Sequence, residues 1–197
     1  MNVAVVKYNA GNVLSVMFAI RRLGLEPVWT DDPEELESAD RVIFPGQGEA
    51  SSAMAYLRER GLDEVLTGLS QPVLGICLGL QLMCRWSEEN DTPCLGILPH
   101  DVRHFDDSLK VPHVGWNAID GLVGSLFSGV ADGAFAYFAH SYYVETGENV
   151  TAFTDYSTRF ASAVQVRNFQ AVQFHPEKSG DVGEHILRNF LLGATVG

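Results

Sequence analysis

Four short apolar runs, Val3 to Val6, Pro27 to Trp29, Arg41 to Phe44 and Val73 to Ile76, alternate with helical stretches through the first half of this chain. No other feature limits the fold as much. Each run is bounded by Gly, Pro or polar residues and is too short for a buried helix, so each reads as a strand. Between them, Val13, Val16, Met17, Ile20 and Leu23 recur at helical spacing until Gly24 stops the pattern. Asp31-Asp32-Pro33-Glu34-Glu35 opens a helix with an acidic first turn. Further helical stretches run to about Arg60 and from Leu62 to Leu69. Strands separated by helices build βαβ units, so the expectation is an α/β fold: a three-layer, open, mostly parallel sheet with flanking helices.

The second half is richer in strands. Candidates are Gly115 to Ile119, Phe135 to Phe138, Tyr142 to Glu145, Ala161 to Val166 and Gln170 to Phe174, followed by a closing helix from Glu184 to Leu192. The last two strands are joined by a hairpin-like link at Arg167-Asn168-Phe169, so antiparallel strands are expected in the C-terminal half. No repeat, low-complexity tract or linker divides the chain, which predicts one domain over residues 1–197. A hydrophobic content of 46% supplies a core and argues against disorder. The net charge of −12 leaves no basic stripe for phosphates, which excludes nucleic acid as a partner. It suits solubility, or docking on a basic protein surface. No apolar run approaches the ~20 residues of a membrane helix. The start, Met1 to Tyr8, reads as a strand and not as a signal peptide, so a cytoplasmic location is expected.

The fourth strand feeds a Gly-x-Cys-x-Gly turn, Gly75-Ile76-Cys77-Leu78-Gly79, which opens onto a helix-like stretch from Leu78 to Trp86. This is the pattern of a nucleophile elbow, with sulfur in place of the serine oxygen. A helix N-terminus favours the thiolate, and the two glycines leave room for the turn. Taken alone, the segment also reads as a core cysteine between packing glycines. His175-Pro176-Glu177 weighs against that. Proline biases His175 to an extended conformation, in which residues i and i+2 point the same way, so Glu177 can orient the His175 ring. Together the three predict thioester chemistry on an amide or ester. The Leu78 N–H is one candidate oxyanion donor, and the Pro45-Gly46-Gln47-Gly48 loop, through the Gln47 backbone, is the other. That loop also reads as an ordinary strand-to-helix turn. Cys77 is the one cysteine of three that a turn would hold exposed, while Cys84 reads as core and Cys94 as incidental. The odd count without CxxC spacing excludes a disulfide framework and a structural zinc site. His100 and His104 read as surface histidines. Gly46-x-Gly48 lacks the third glycine of a dinucleotide fingerprint.

These residues resemble the class I, Cys-His-Glu triad glutamine amidotransferases over nearly the whole chain. Gly75 to Gln81 and Gln173 to Ser179 carry the likeness. Within the family the chain is similar to the glutaminase subunits of imidazole glycerol phosphate synthases. Tyr8 to Asn12 with Ser15-Val16, Pro45 to Gly48, Pro112 to Asn117 and Tyr137 to Tyr142 support that. The resemblance implies a flavodoxin-like sheet, no cofactor and no metal, with glutamine as substrate. Ammonia would pass to a separate (β/α)8-barrel cyclase. Cys77 would form the glutamyl thioester, His175 would act as base and then acid, and Glu177 would orient His175. Gly48, Gln81, Ser141 and Tyr142 would hold glutamine, and Asn12, Trp116, Tyr137 and Lys178 would face the cyclase. The alternatives are a Cys peptidase of similar fold, a glutaminase feeding another synthase, or a non-catalytic scaffold.

Overall fold

A computed structural model describes residues 1–11 and 13–193. The first half alternates as its pattern requires: β1 (Val3–Val6), α1 (Val13–Arg22), β2 (Pro27–Thr30), α2 (Pro33–Ser38), β3 (Arg41–Phe44), α3 (Ala50–Glu59), α4 (Leu62–Gly68), β4 (Val73–Ile76) and α5 (Leu78–Met83). Local chemistry sets the boundaries. Arg21 and Arg22 complement the carbonyl end of α1, and Gly24 ends its turn at φ 81°. Asp32 caps α2 by accepting from the Glu34 N–H at 2.9 Å, with Pro33 in the first helical position. Helix α5 stops three residues earlier than the sequence suggests. The carbonyls of Leu82, Met83 and Cys84 accept from the N–H groups of Leu95, Leu98 and Gly96 at 2.8–2.9 Å, so a returning loop takes the bonds that further helix would need. Trp86 begins a strand instead.

The second half contributes β5 (Trp86–Ser87), β6 (Thr92–Pro93), β7 (Asp101–His104), β8 (His113–Ile119), β9 (Ala134–His140), β10 (Tyr142–Val144), β11 (Val150–Asp155), β12 (Arg159–Val166), β13 (Phe169–Val172) and α6 (Gly180–Leu192). The sheet runs β2-β1-β3-β4-β13-β12-β10-β7-β5-β6, with β11 also paired to β12. Strands β2, β1, β3, β4 and β13 are mutually parallel, and β13, β12, β10 and β7 continue as an antiparallel extension. Strands β5, β6, β7 and β11 lack a sequence signature. Helix α6 begins four residues before the expected Glu184.

Alternation along β1 sends Ala4 and Val6 to one face and Val3 and Val5 to the other. The first face packs on α2 to α5 through Leu36, Met54, Leu57, Leu62 and Leu66. The second packs on α1, α6 and the separate β8–β9 hairpin through Val16, Ile20, Phe138, Ile186 and Leu187. Each such side chain, buried to within 2% of its surface, contributes about 1.5–3 kcal/mol of transfer free energy. The result is three layers with the sheet in the middle. It places the carboxyl ends of β3, β4 and β13 side by side, where open α/β sheets hold their ligands.

Candidate active site

Cys77 joins β4 to α5 at φ 54° and ψ −107°, a backbone state that a residue with a side chain adopts only when its surroundings enforce it. The Cys77 N–H donates to Val172 O at 2.8 Å, which ties the turn to β13. A Cβ on Gly79 would lie 1.9 Å from Phe44 O, so β3 and α5 meet backbone to backbone there. A Cβ on Gly75 would meet Met83 Sδ at 2.9 Å. The glycines therefore do what the sequence asked of them. The thiol is not broadly exposed as expected, because Cys77 retains only 6% of its surface. Ala139 O lies 4.0 Å from Sγ and Gln173 Nε2 lies 3.7 Å from it, and together they roof the sulfur. It opens into a cleft of about 320 Å³ bounded by Gln47, Gly48, Leu78, Gln81, Glu89, Pro112, Val114, Ala139, His140, Ser141 and Tyr142.

His175 follows β13. Its N–H donates to Tyr137 O at 2.8 Å, and its own carbonyl accepts from Ser179 Oγ at 2.7 Å. Nδ1 lies 2.8 Å from Glu177 Oε1, with both side chains almost fully buried. That leaves Nε2 buried and without a bond to any other described group. Burial alone would lower the His175 pKa. Cys77 and then Glu177 outweigh burial and push it up to about 10. The arrangement favours the charged form of His175, set between the Cys77 sulfur and the Glu177 carboxyl group.

The loop after β3 is held at its start. Tyr8 Oη donates to Pro45 O at 2.6 Å, and burial raises the Tyr8 pKa well above its usual value, so it remains a donor. A Cβ on Gly46 would lie 2.2 Å from Tyr8 Oη and 2.8 Å from Leu78 Cβ. The Gly11 N–H donates to Gln47 O at 2.8 Å. Gly48 is open, with φ 151° and its nearest neighbour 3.9 Å from where a Cβ would sit. Leu78 begins α5, where first-turn N–H groups have no partner within the helix.

Gln81 lies on the cleft floor. Its Nε2 donates to Tyr142 O at 2.9 Å and to Gln173 Oε1 at 3.2 Å. Sequence reasoning passed over Gln173, although it stands two residues before His175 on the same run and so shares its side of the chain. It also missed Glu89, a half-buried carboxylate in the cleft that accepts the Ala50 N–H at 2.7 Å and whose pKa burial raises. Nothing near Glu89 in sequence marks it, because a single turn, Glu89–Asp91, carries it there. Trp116 and Tyr137 are cross-strand partners on the β8–β9 hairpin, with ring centroids 6.1 Å apart, and Lys178 Nζ stands 6.0 Å from the Tyr137 ring. Asn12 lies outside the described residues. His100 is not a surface histidine. It is buried beside β7 with Nε2 2.8 Å from Glu148 O, while His104 is exposed as expected.

Residues 6–194 match the family model for class-I glutamine amidotransferases. Among curated proteins, the imidazole glycerol phosphate synthase subunit HisH of Bacteroides fragilis is 55% identical over 97% of this chain and 99% of its own length. The same-named subunit of Escherichia coli K12 is 45% identical with the same coverage. A crystal structure of a glutamine amidotransferase superposes with a TM-score of 0.75 at 22% identity, over 96% of this chain and 97% of that one. PurLQS from Thermotoga maritima gives 0.70 at 16% identity, over 97% of both chains. With a strained cysteine, a buried His-Glu pair and a cleft at three strand ends, and with a family model spanning nearly its whole length, the chain belongs to the class-I glutamine amidotransferases.

Proposed function

We propose that this chain, as one domain acting in the cytoplasm, hydrolyses glutamine to glutamate and ammonia. It delivers the ammonia to a separate (β/α)8-barrel cyclase that makes imidazole glycerol phosphate and aminoimidazole carboxamide ribotide for histidine biosynthesis. The observation that carries this reading is the cleft itself. It has room for one amino acid, a thiol at its base, a carboxamide at Gln81 and a carboxylate at Glu89. The names of relatives sharing 45% and 55% identity supply the pathway.

In this reading the Cys77 thiolate attacks the side-chain carboxamide carbon. The oxyanion is met by the N–H groups of Leu78 and Gln47. Protonated His175, oriented by Glu177, gives its proton to the leaving nitrogen, and ammonia departs. Water then attacks the thioester with His175 as base, which releases glutamate and restores the thiolate. Gly48, Gln81 and the backbone at Ser141 and Tyr142 hold the substrate. Glu89, a carboxylate in the cleft, suits its ammonium group. The outer face of the β8–β9 hairpin leaves Val114 and Trp116 more than half exposed, with Tyr137 and Lys178 beside them. This is the surface assigned to the cyclase.

The test is glutamate release by the chain alone and with cyclase and nucleotide. Low turnover alone and a large rise on assembly are expected, and full activity of the isolated chain contradicts the dependence. Cys77→Ala should abolish glutamine-dependent synthesis by about 10⁴-fold or more and leave ammonia-dependent synthesis by the complex intact. Loss of both would make Cys77 structural.

A further inference from the structure

His113 and His140 face each other across the β8–β9 hairpin, on its inner side, and neither belongs to the triad. They are buried to 4% and 6% of their surface. The His113 ring stacks on Tyr156 at 4.1 Å and on Phe138 at 4.9 Å between centroids. Phe105 and Phe160 also lie against both rings. Their hydrogen bonds fix which nitrogen carries each proton. Tyr142 O can only accept, so His140 Nδ1, 2.7 Å away, is the donor. A neutral His140 then presents a lone pair at Nε2, and His113 Nδ1, 3.1 Å away, must donate to it. The lone pair of His113 Nε2 is met by Asn117 Nδ2 at 3.3 Å. Asn117 cannot turn the other way, because its Oδ1 accepts the Ala118 N–H at 2.8 Å. Burial holds both rings neutral, lowering His113 to about 4 and His140 to about 3.

The relay ends on the acceptor that orients the cleft floor. Tyr142 O receives His140 Nδ1–H and Gln81 Nε2–H together. The second hydrogen on Gln81 Nε2 goes to Gln173 Oε1, and Gln173 Nε2 points at Cys77 Sγ. With both hydrogens used, Gln81 offers Oε1 to the cleft. We propose that His113 is a positioning residue for glutamine hydrolysis: by donating to His140 Nε2 it holds the ring so that Nδ1–H meets the Tyr142 carbonyl against which the Gln81 carboxamide is set. Without the His113 donor, His140 Nε2 has no partner and the ring keeps only one of the two bonds that aim it. Nδ1–H then meets the Tyr142 oxygen less firmly, and that carbonyl is no longer held from both ends. The inference rests on the reading of Cys77 as a glutaminase nucleophile.

Two substitutions and one spectrum test it, in the complex with cyclase and nucleotide. His113→Phe keeps a ring in the aromatic stack and removes the donor, while His113→Asn supplies Nδ2 where Nδ1 stood. His113→Phe should raise KM for glutamine at least tenfold, with a smaller change in kcat. It should slow alkylation of Cys77 by a glutamine-analogue diazoketone about tenfold and leave alkylation by iodoacetamide within twofold. His113→Asn should stay within threefold of wild type throughout. A His113→Phe enzyme with wild-type KM, or equal damage in both variants, or equal slowing of both electrophiles, overturns the proposal. The unmodified protein provides a readout independent of variant folding: imidazole ¹⁵N shifts should show Nδ1–H and bare Nε2 in both rings, and a His113 protonated on Nε2 overturns it too. Failure of the underlying reading is separately visible, since wild-type Cys77 would then show no preference for the glutamine analogue whatever the tautomers.

Discussion

The two sides of the cleft are built on opposite terms. On the Cys77 side, every degree of freedom is taken. The residue sits at φ 54°, its N–H is bonded to β13, and the space beside Gly75 and Gly79 is filled by Met83 and by the Phe44 backbone. On the Gly48 side, the loop is pinned at Pro45 and Gln47 and then released, because Gly48 is exposed with only Leu78 Cδ2 at 3.9 Å. The difference teaches where regulation can enter. The thiol proposed as nucleophile is locked in place before substrate arrives, whereas Gly48, the residue after the proposed oxyanion donor Gln47, has room to move. A partner that biases only the open side could switch turnover without disturbing the thiol.

The sharpest way to break this comparison is to place the same methyl group on each side. Gly79→Ala drives a Cβ to 1.9 Å from Phe44 O, a contact that only separation of β3 from α5 relieves. We expect a loss on the order of 3–5 kcal/mol, read as a fall in Tm of about 10 °C or more. Gly48→Ala has space and meets only the strain of its φ, 151°. It should keep Tm within about 3 °C while lowering glutamine-dependent turnover of the complex about 100-fold. If the two variants lose stability alike, the open side is not open.

The locked side was legible in the sequence and the open side only half so. Gly-x-Cys-x-Gly and His-x-Glu are local patterns whose spacing dictates geometry, so Cys77, His175 and Glu177 could be named before any fold was built. The carboxyl ends of β3 and β4 followed from the strand–helix alternation. Glu89 and the His113–His140 pair depend on chain reversals that no periodicity announces. Strands β5 and β6 have two residues each, too few for an alternation to register, yet the turn between them delivers Glu89. His113 and His140 are 27 residues apart and meet only because β8 and β9 pair antiparallel. His100 was misread as a surface group for the same reason: its acceptor, Glu148 O, lies 48 residues on.

Glu89 sharpens the open side, since it touches both substrate space and loop. Its carboxylate accepts the Ala50 N–H at the start of α3, two residues beyond Gly48. Glu89→Gln retains an acceptor for Ala50 and removes only the charge offered to the substrate ammonium. KM for glutamine should rise about tenfold or more, with Tm and iodoacetamide reactivity of Cys77 unchanged. A variant with altered kcat and unaltered KM would show that Glu89 serves the loop and not the substrate.

The smallest effect tests whether the locked side stores strain. Cys77 holds positive φ because β13 and the packed glycines impose it. A backbone held there costs about 1 kcal/mol for a residue with a Cβ and almost nothing for glycine. Cys77→Ala and Cys77→Gly both remove the sulfur, so their difference isolates the backbone term. The expected ordering is Gly above Ala by about 0.5–1 kcal/mol, the reverse of the usual ranking, in which glycine loses to alanine through chain entropy. Denaturant unfolding of the two variants at matched m-values reads that difference directly. If alanine proves the more stable, the elbow relaxes once the sulfur is gone, and the strain then belongs to the thiol's own contacts with Gln173 and Ala139 and not to the turn.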